Sequence, residues 1–395
     1  HALIADPLWS RGLGDVYKRQ GADIIDIGLG PSPMLYFAAN HLDSDGAIMV
    51  TGSHNPPQHN GFKIMKGKVP FFGNDILDIG ERGIKGEWDY SDGSKLDYFI
   101  DDKYINILLE SLKLNKFNKA LKVAWDPGNG AAGAIIKKLV KLLPGEHTLI
   151  NSEIDGLFPS HHPDPTDPEN LKEIISLVRK QELDVGLAFD GDGDRLGVVS
   201  STGRIVWGDQ LLAFLSKEVL RNMPNSPIIA DVKASQNLFN QIEKYGGVPV
   251  MWKTGHSFIK SKMKEISSPL AGEMSGHIFF ADRYLGYDDG IYAALRVLEL
   301  IEDRYTLDNF LDSLPKTFST QEIKIECSDD KKFNIIKELA RTLDNEKINV
   351  NKVDGLRVQK DDGWWLLRAS NTQAVLVARV EAKSKNSLNL SLIHI

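Results

Sequence analysis

The sequence predicts an α/β protein that ends in a smaller α+β unit, and two observations carry this. Over most of the chain a short apolar, β-branched run is followed by a Gly-rich or polar loop and then by a stretch of helical period. Strands alternating with helices belong to folds with largely parallel sheets. The last segment breaks that order, with one helix-period stretch followed by three strand-like runs.

Taken in order, Ala22–Gly28 (ADIIDIG) and Gly46–Val50 (GAIMV) read as strands. Leu121–Trp125 leads through Asp126-Pro-Gly-Asn-Gly130 into AAGAIIKKLVKLL, where Ile135, Ile136, Leu139, Leu142 and Leu143 make one helix face. Asp184–Phe189 runs into the acidic loop Asp190–Arg195. Pro227–Val232 precedes a helix with Leu238, Phe239, Ile242 and Tyr245 on one side, closed by Gly246-Gly247. Val248–Trp252 passes through Lys253-Thr-Gly-His256 into another helix. The C-terminal unit reads as helix Phe333–Asp344 and strands Ile348–Lys360, Trp364–Arg368 and Ala374–Lys383. Phe158–Asn170 (FPSHHPDPTDPEN) is a loop held between strong elements.

At about 150 residues per domain, 395 residues suggest two to three domains, or four small ones. Apolar residues at 42% and charged residues at 26% exclude a disordered or collagen-like chain. A net charge of −7 leaves no global basic surface for nucleic acid or an anionic membrane, so any anion site must concentrate positive charge locally. The single cysteine, Cys327, excludes an intramolecular disulfide and a Cys-rich metal centre. No apolar run reaches the roughly 18 residues of a membrane helix, and HALIADPLWSRGLGDVYKRQ lacks the order of a signal peptide. The expectation is a cytoplasmic protein without nucleic-acid or membrane partners.

Four motifs carry chemistry. Thr51-Gly-Ser-His-Asn-Pro-Pro57, followed by Asn60-Gly-Phe-Lys63, sits where a strand ends, the edge at which α/β sheets bind ligands. Ser53 suits a nucleophile with His54 or Lys63 as proton carrier; the bland alternative is a capped turn. Phe189-Asp-Gly-Asp-Gly-Asp-Arg195 sets Asp190, Asp192 and Asp194 two residues apart. Their oxygens suit a hard cation such as Mg²⁺, and Arg195 adds a fixed positive charge. The alternative is a solvated acidic turn. An EF-hand is excluded, because Arg195 and Ser201 stand where that loop needs Gly and Glu. Gly272-Glu-Met-Ser-Gly-His277 alternates Glu273, Ser275 and His277 on one extended face, a pattern suited to vicinal sugar hydroxyls. Arg368-Ala-Ser-Asn-Thr372 combines a guanidinium, two hydroxyls and an amide, the parts of a phosphate cradle or of a polar turn. Lys233, Lys253 and His256 stand at loop edges beside helix starts, as anion ligands or as surface charges. GxxxxGK[ST] does not occur at Lys253.

In this order TGSHNPPQHNGFK, DPGNG, FDGDGDR, GEMSGH and RASNT resemble the α-D-phosphohexomutase family, nearest its bacterial phosphomannomutase/phosphoglucomutase branch, from roughly Gly21 to Ala382. The resemblance implies three related mixed-sheet α/β domains and a smaller C-terminal α+β domain around a central cleft. In this chain they would be 1–98 (phosphoserine), 99–204 (metal), 205–316 (sugar) and 317–395 (phosphate). It implies a phosphoserine at Ser53, which with Asp190, Asp192 and Asp194 binds Mg²⁺, and a reaction centre lined by His54, Lys63, Arg195 and His256. Glu273, Ser275 and His277 would read the sugar hydroxyls. Arg368, Ser370, Asn371 and Thr372 would hold the non-reacting phosphate, with Lys233 and Lys253 on the substrate path. The implied activity interconverts hexose 1- and 6-phosphates through a hexose 1,6-bisphosphate, in a monomer or weak homodimer. Met274 and Thr51-Gly52 point to mannose and glucose phosphates rather than glucosamine phosphate.

Two departures stand out. His1–Gln20 does not match the family's Arg-bearing first strand, which predicts uncovered sheet edges and apolar surface in the first domain. Ser387–Ile395 (SLNLSLIHI) departs where a final helix is expected. They leave a non-catalytic sugar-phosphate-binding remnant as one alternative. A phosphohydrolase with Asp190 as nucleophile is another, but it leaves TGSHNPP and GEMSGH unexplained.

Overall fold

The computed structural model describes residues 17–56, 58–86, 90–113, 121–370 and 373–393. The first unit contains β1 (Ile24–Asp26), α1 (Ser32–His41), β2 (Gly46–Val50), β3 (Phe62–Lys66), β4 (Val69–Phe71), α2 (Asn74–Lys85) and β5 (Lys95–Asp97). β1 pairs in parallel with β5, while β2, β3 and β4 form an antiparallel sheet. Pro31-Ser32-Pro33 starts α1, since the fixed φ of proline suits a first helical turn. Among the described residues β1 has only β5 as a partner, and α2 leaves Ile76, Leu77, Ile79 and Ile84 exposed.

Helix α3 (Asp101–Glu110) leads into a second unit of β6 (Lys122–Asp126), α4 (Gly133–Leu139), β7 (Glu146–Leu149), α5 (Lys172–Lys180), β8 (Val185–Phe189), β9 (Leu196–Ser200) and β10 (Ile205–Val206). β6 is parallel to β7 and β8, but β9 runs antiparallel to β8 and β10 to β9. The third unit holds α6 (Gly208–Asn222), β11 (Pro227–Asp231), α7 (Gln236–Lys244), β12 (Val248–Trp252), α8 (His256–Ile266), β13 (Leu270–Gly272), β14 (Ile278–Phe280), α9 (Gly290–Leu298) and α10 (Thr306–Ser313). There β11 is parallel to β12 and β13, with β14 antiparallel on the edge. Short tight returns after β8 and β13 make these sheets mixed rather than largely parallel, because only a crossover helix gives a parallel return.

The fourth unit is antiparallel: β15 (Phe318–Ser319), β16 (Ile323–Glu326), α11 (Asp329–Asn345), β17 (Val350–Asn351), β18 (Leu356–Lys360), β19 (Gly363–Ala369), β20 (Val375–Ala382) and α12 (Lys385–Ile393). The single strand expected over Ile348–Lys360 is two strands. Gly355 takes φ +79° between them, a left-handed turn that ends the pleat. The tail does form a helix, α12, despite its unfamiliar sequence.

One apolar core runs through the first three units and the fourth has its own. Val232, Trp364 and Leu366 join the third unit to the fourth. Asp308 on α10 accepts from Ser200 Oγ (2.8 Å) and Ser201 Oγ (3.0 Å), clipping the third unit to the second. No helix among the described residues is long and apolar enough to cross a membrane. The C-terminal ends of β8, β11, β12 and β13 open into Asp190, Lys233, Lys253 and Glu273, so the polar loops collect at the edge where such sheets bind ligands.

Candidate functional site

The acidic loop and the serine loop meet. Ser53 Oγ donates to Asp190 Oδ2 at 2.8 Å, and Ser53 itself holds φ +49°. Gly191 allows this approach, because a Cβ there would lie 2.2 Å from the Ser53 carbonyl oxygen. Asp190, Asp192 and Asp194 are buried, with ligand oxygens within 4.8 Å of one another. Asp192 Oδ2 accepts from Ser32 Oγ (2.6 Å), Thr51 Oγ1 (3.0 Å) and Lys63 Nζ (2.6 Å), and Lys63 also bonds Asp194.

These carboxylates fit a cation. Asp192 Oδ1 is buried with no hydrogen-bond partner, and an ionised oxygen so placed is costly unless a positive charge reaches it. With Ser53 Oγ beside them, the donor set is all oxygen, the preference of Mg²⁺.

Charge around the site is graded. Burial raises the Asp190 carboxyl well above its usual range, reinforced by Asp194 and Asp192 and opposed by Arg195. Asp194 is held well below that range, because Lys63 and His277 outweigh the effect of burial. Burial also acts against a charged Lys63, yet Asp192 and Asp194 hold its ammonium firmly protonated. His54, pushed down to about 4 by burial and by Arg195, is neutral near pH 7, with Nδ1 3.2 Å from Ser53 Oγ. Of the two proton carriers expected from sequence, His54 is the uncharged one.

Arg195 donates its backbone N–H to Asp190 Oδ1 (3.1 Å), and its guanidinium lies 3.7 Å from Asp190 Oδ2. His277 sits between Asp194 Oδ1 (3.3 Å from Nε2) and Glu273 Oε2 (3.4 Å from Nδ1). Against the effect of burial, those carboxylates raise its imidazole to about 9. Ser275 Oγ is 2.9 Å from His277 Nδ1, so the three residues expected on one face converge. Glu273 also accepts from Gly255 N (2.6 Å), which ties it to the start of α8, where His256 stands.

The remaining residues lie toward the fourth unit. Lys233 is buried and bonds Glu322 (2.6 Å). Arg368 Nε and Thr254 N both donate to Asp354 Oδ2 at 3.0 Å, so one carboxylate bridges the third and fourth units. Ser370 is buried, and its Oγ accepts from Gln373 N. Asn371 and Thr372 lie outside the described residues. Lys253 is exposed, has its ammonium over the Phe258 ring, and makes no ion pair among the described residues. It does not join the cluster.

Sequence reasoning missed Ser32, Lys260, Asp288 and Asp164. Ser32 reads only as a helix start. Asp164 lies in the Pro-rich loop, held by Thr166, where its charge acts on His54 and Arg195. Asp288 and Lys260 form a buried ion pair beside His256.

Comparison with known proteins places this arrangement. Models described as phosphoglucomutase/phosphomannomutase alpha/beta/alpha domains I, II and III match residues 9–82, 102–203 and 207–318, and the C-terminal domain model matches 322–390. The match therefore extends beyond the Gly21–Ala382 span read from motifs. A phosphomannomutase/phosphoglucomutase of Pseudomonas aeruginosa is 44% identical over 93% of this chain and 79% of its own. A phosphoglucomutase of Neisseria gonorrhoeae is 41% identical over 96% of this chain and 82% of its own. The crystal structure of a phosphoglucomutase/phosphomannomutase family protein from Burkholderia thailandensis superposes with TM-score 0.89 at 39% identity, covering 97% of this chain and 84% of that one.

Proposed function

The chain belongs to the phosphoglucomutase/phosphomannomutase family, and from that premise we infer that it interconverts the 1- and 6-phosphates of mannose, glucose or both. The observation that carries the reading is Ser53 Oγ at 2.8 Å from Asp190 Oδ2, at the rim of three buried carboxylates crossed by Lys63.

In the proposed cycle Ser53 carries a phosphoryl group. A sugar hydroxyl attacks its phosphorus, the P–O bond to Ser53 breaks, and the hydroxyl's proton ends on the departing serine oxygen, relayed by a neighbouring base. The product is a hexose 1,6-bisphosphate. After it turns over in the cleft, its other phosphate returns to Ser53 by the reverse steps. Phosphoryl transfer asks mainly for in-line placement and charge cancellation. Asp190, Asp192 and Asp194 would hold Mg²⁺ with the serine phosphate, and the ion supplies Lewis-acid stabilisation when bound. Lys63 and Arg195 add fixed positive charge on either side. His54, neutral and 3.2 Å from Ser53 Oγ, would be the relay between the two oxygens, gaining one proton as it passes one on.

Glu273, Ser275 and His277 would grip the sugar hydroxyls. Lys233 and Arg368 would receive the distal phosphate with Ser370, Asn371 and Thr372, and the phosphate would displace Asp354 from Arg368. Small hydroxyls and an amide beside one guanidinium can accept a phosphate from either end of the sugar. Met274 and Thr51-Gly52 support mannose and glucose phosphates. Asp190 as a hydrolase nucleophile is disfavoured, because its carboxylate is occupied by Ser53 and Arg195.

The test is incubation with glucose 1,6-bisphosphate and Mg²⁺, followed by peptide mass analysis. A gain of about 80 Da on the Ser53 peptide is expected, with loss of turnover in Ser53→Ala in parallel assays on mannose 1-phosphate and glucose 1-phosphate. Free phosphate with an unlabelled Ser53 would indicate the hydrolase. Neither label nor hydrolysis would indicate the binding remnant.

A further inference from the structure

We propose that Asp288 is a positioning residue of the reaction centre, its buried carboxylate holding the His256 imidazole and the Lys260 ammonium from behind the cleft. Asp288 is fully buried. Its Oδ1 accepts from Lys260 Nζ at 2.8 Å, and its Oδ2 lies 3.1 Å from His256 Nδ1 and 4.0 Å from His277 Nε2. The His256 approach is close but off the direction of a full hydrogen bond. Such contacts tighten when a ligand closes a site.

Local sequence explains how the carboxylate gets there. Asp288 bridges Phe279 of β14, so its backbone is extended. Asp289 caps α9 by accepting from Tyr292 N, and its Oδ2 accepts from Tyr104 and Tyr284, each at 2.8 Å. Side chains of neighbouring extended residues point to opposite sides. Anchoring Asp289 among the tyrosines therefore turns Asp288 the other way, toward Lys260, His256 and His277.

The consequences fall on α8. His256 opens that helix and Lys260 stands one turn later on the same face, so one carboxylate can serve both. Lys260 also lies over the Tyr36 ring at 4.0 Å, and Tyr36 belongs to α1 of the first unit. Burial and Lys260 keep His256 below its usual range, hence neutral, while Asp288 is held below its usual range against burial, chiefly by the Lys260 ammonium. A neutral imidazole facing a carboxylate through Nδ1 carries its proton there, which leaves Nε2 with the lone pair.

The activity arm of the test rests on the mutase reading; the spectroscopic arm does not. In Asp288→Asn, kcat for hexose-phosphate interconversion should fall about tenfold or more, as for other residues that orient a working imidazole, with KM changed by less than about threefold. The ¹⁵N spectrum of the His256 ring should lose its single Nδ1–H form. A kcat within twofold of the parent, or an unchanged His256 spectrum, overturns the assignment. Should the Asn variant not fold, Asp288→Glu keeps the charge for Lys260 while moving the oxygens. It should show the same kcat loss at a near-parental Tm, and full kcat there overturns the assignment equally. A parent enzyme without turnover would sink the mutase reading, while the ¹⁵N comparison would still decide on Asp288.

Discussion

Replacing Lys63 by Met tests whether the carboxylate cluster is held together by charge. The Lys63 side chain is 16% exposed, and its ammonium spans Asp192 and Asp194, whose side chains are 4% and 0% exposed. Removing one partner of a buried pair costs about 3–5 kcal/mol, because a charge is left uncompensated. Arg195 and His277 still face the cluster, so the lower end, about 3 kcal/mol, is expected. For a cooperative unit of 150–250 residues this lowers Tm by about 6–12 °C. The loss should be flat in pH over the neutral range. The Lys63 pKa is raised, so its contribution is complete below the unfolded value of 10.5 and fades only above that. Asp194 is depressed, so its share is full above the unfolded value of 3.8 and is lost progressively as pH falls below it. Differential scanning calorimetry in EDTA and then in Mg²⁺ reads both terms. A cation at a hundred times its Kd adds about 2.7 kcal/mol, and the variant should gain more than the parent because no ammonium competes for the same oxygens. A Tm within 2 °C of the parent's in EDTA, or an equal Mg²⁺ shift, would refute the reasoning.

Gly191→Ala should push the serine loop off the carboxylates, since its Cβ would sit 2.2 Å from the Ser53 carbonyl. Turnover and Ser53 labelling should fall at least about a hundredfold, the scale at which misplaced reacting groups act, while the far-ultraviolet circular dichroism is kept; normal labelling would contradict this. His161 donates to Asp126 at 2.8 Å, and that bond raises its imidazole against burial. The added stability is full below the unfolded value of 6.5 and lost as pH rises past the higher folded value. Urea unfolding of His161→Gln should therefore show a larger deficit at pH 5.5 than at pH 9, and equal deficits would remove the ion pair as the cause.

Several elements were legible because one local signal sufficed. Gly46–Val50 and Val248–Trp252 are strands over the same residues that the apolar runs mark. The meeting of Ser53 with Asp190 was legible only through the family resemblance, because β2 lies in an antiparallel sheet with β3 and β4, apart from the sheet of β8. Strand direction was not legible, since β9 and β14 are as apolar as their parallel neighbours and the pleat repeats alike either way. Asp288 was hidden for a related reason. In Tyr287-Asp-Asp-Gly290 nothing local says which carboxylate faces the cleft; the answer depends on Tyr104, 185 residues from its partner Asp289. Ser32 reaches Asp192 across 160 residues, and the sequence shows only a helix start.

The division of charge among the units bears on how the site assembles. The carboxylates come from the second unit, Lys63 from the first, and His277 from the third. None of these groups is tolerable alone where it is buried, because each would carry an unbalanced charge in a low dielectric. Docking the units therefore neutralises the site, and the site in turn favours docking. The fourth unit meets the third differently. Lys233–Glu322 and the Asp354 bridge between Thr254 and Arg368 are polar links beside a small apolar patch. Such links can be exchanged for a phosphate without exposing much apolar surface. In the proposed cycle, three units sharing one core would hold the centre, while the polar links to the fourth would yield as the intermediate turns and still leave it shielded from water.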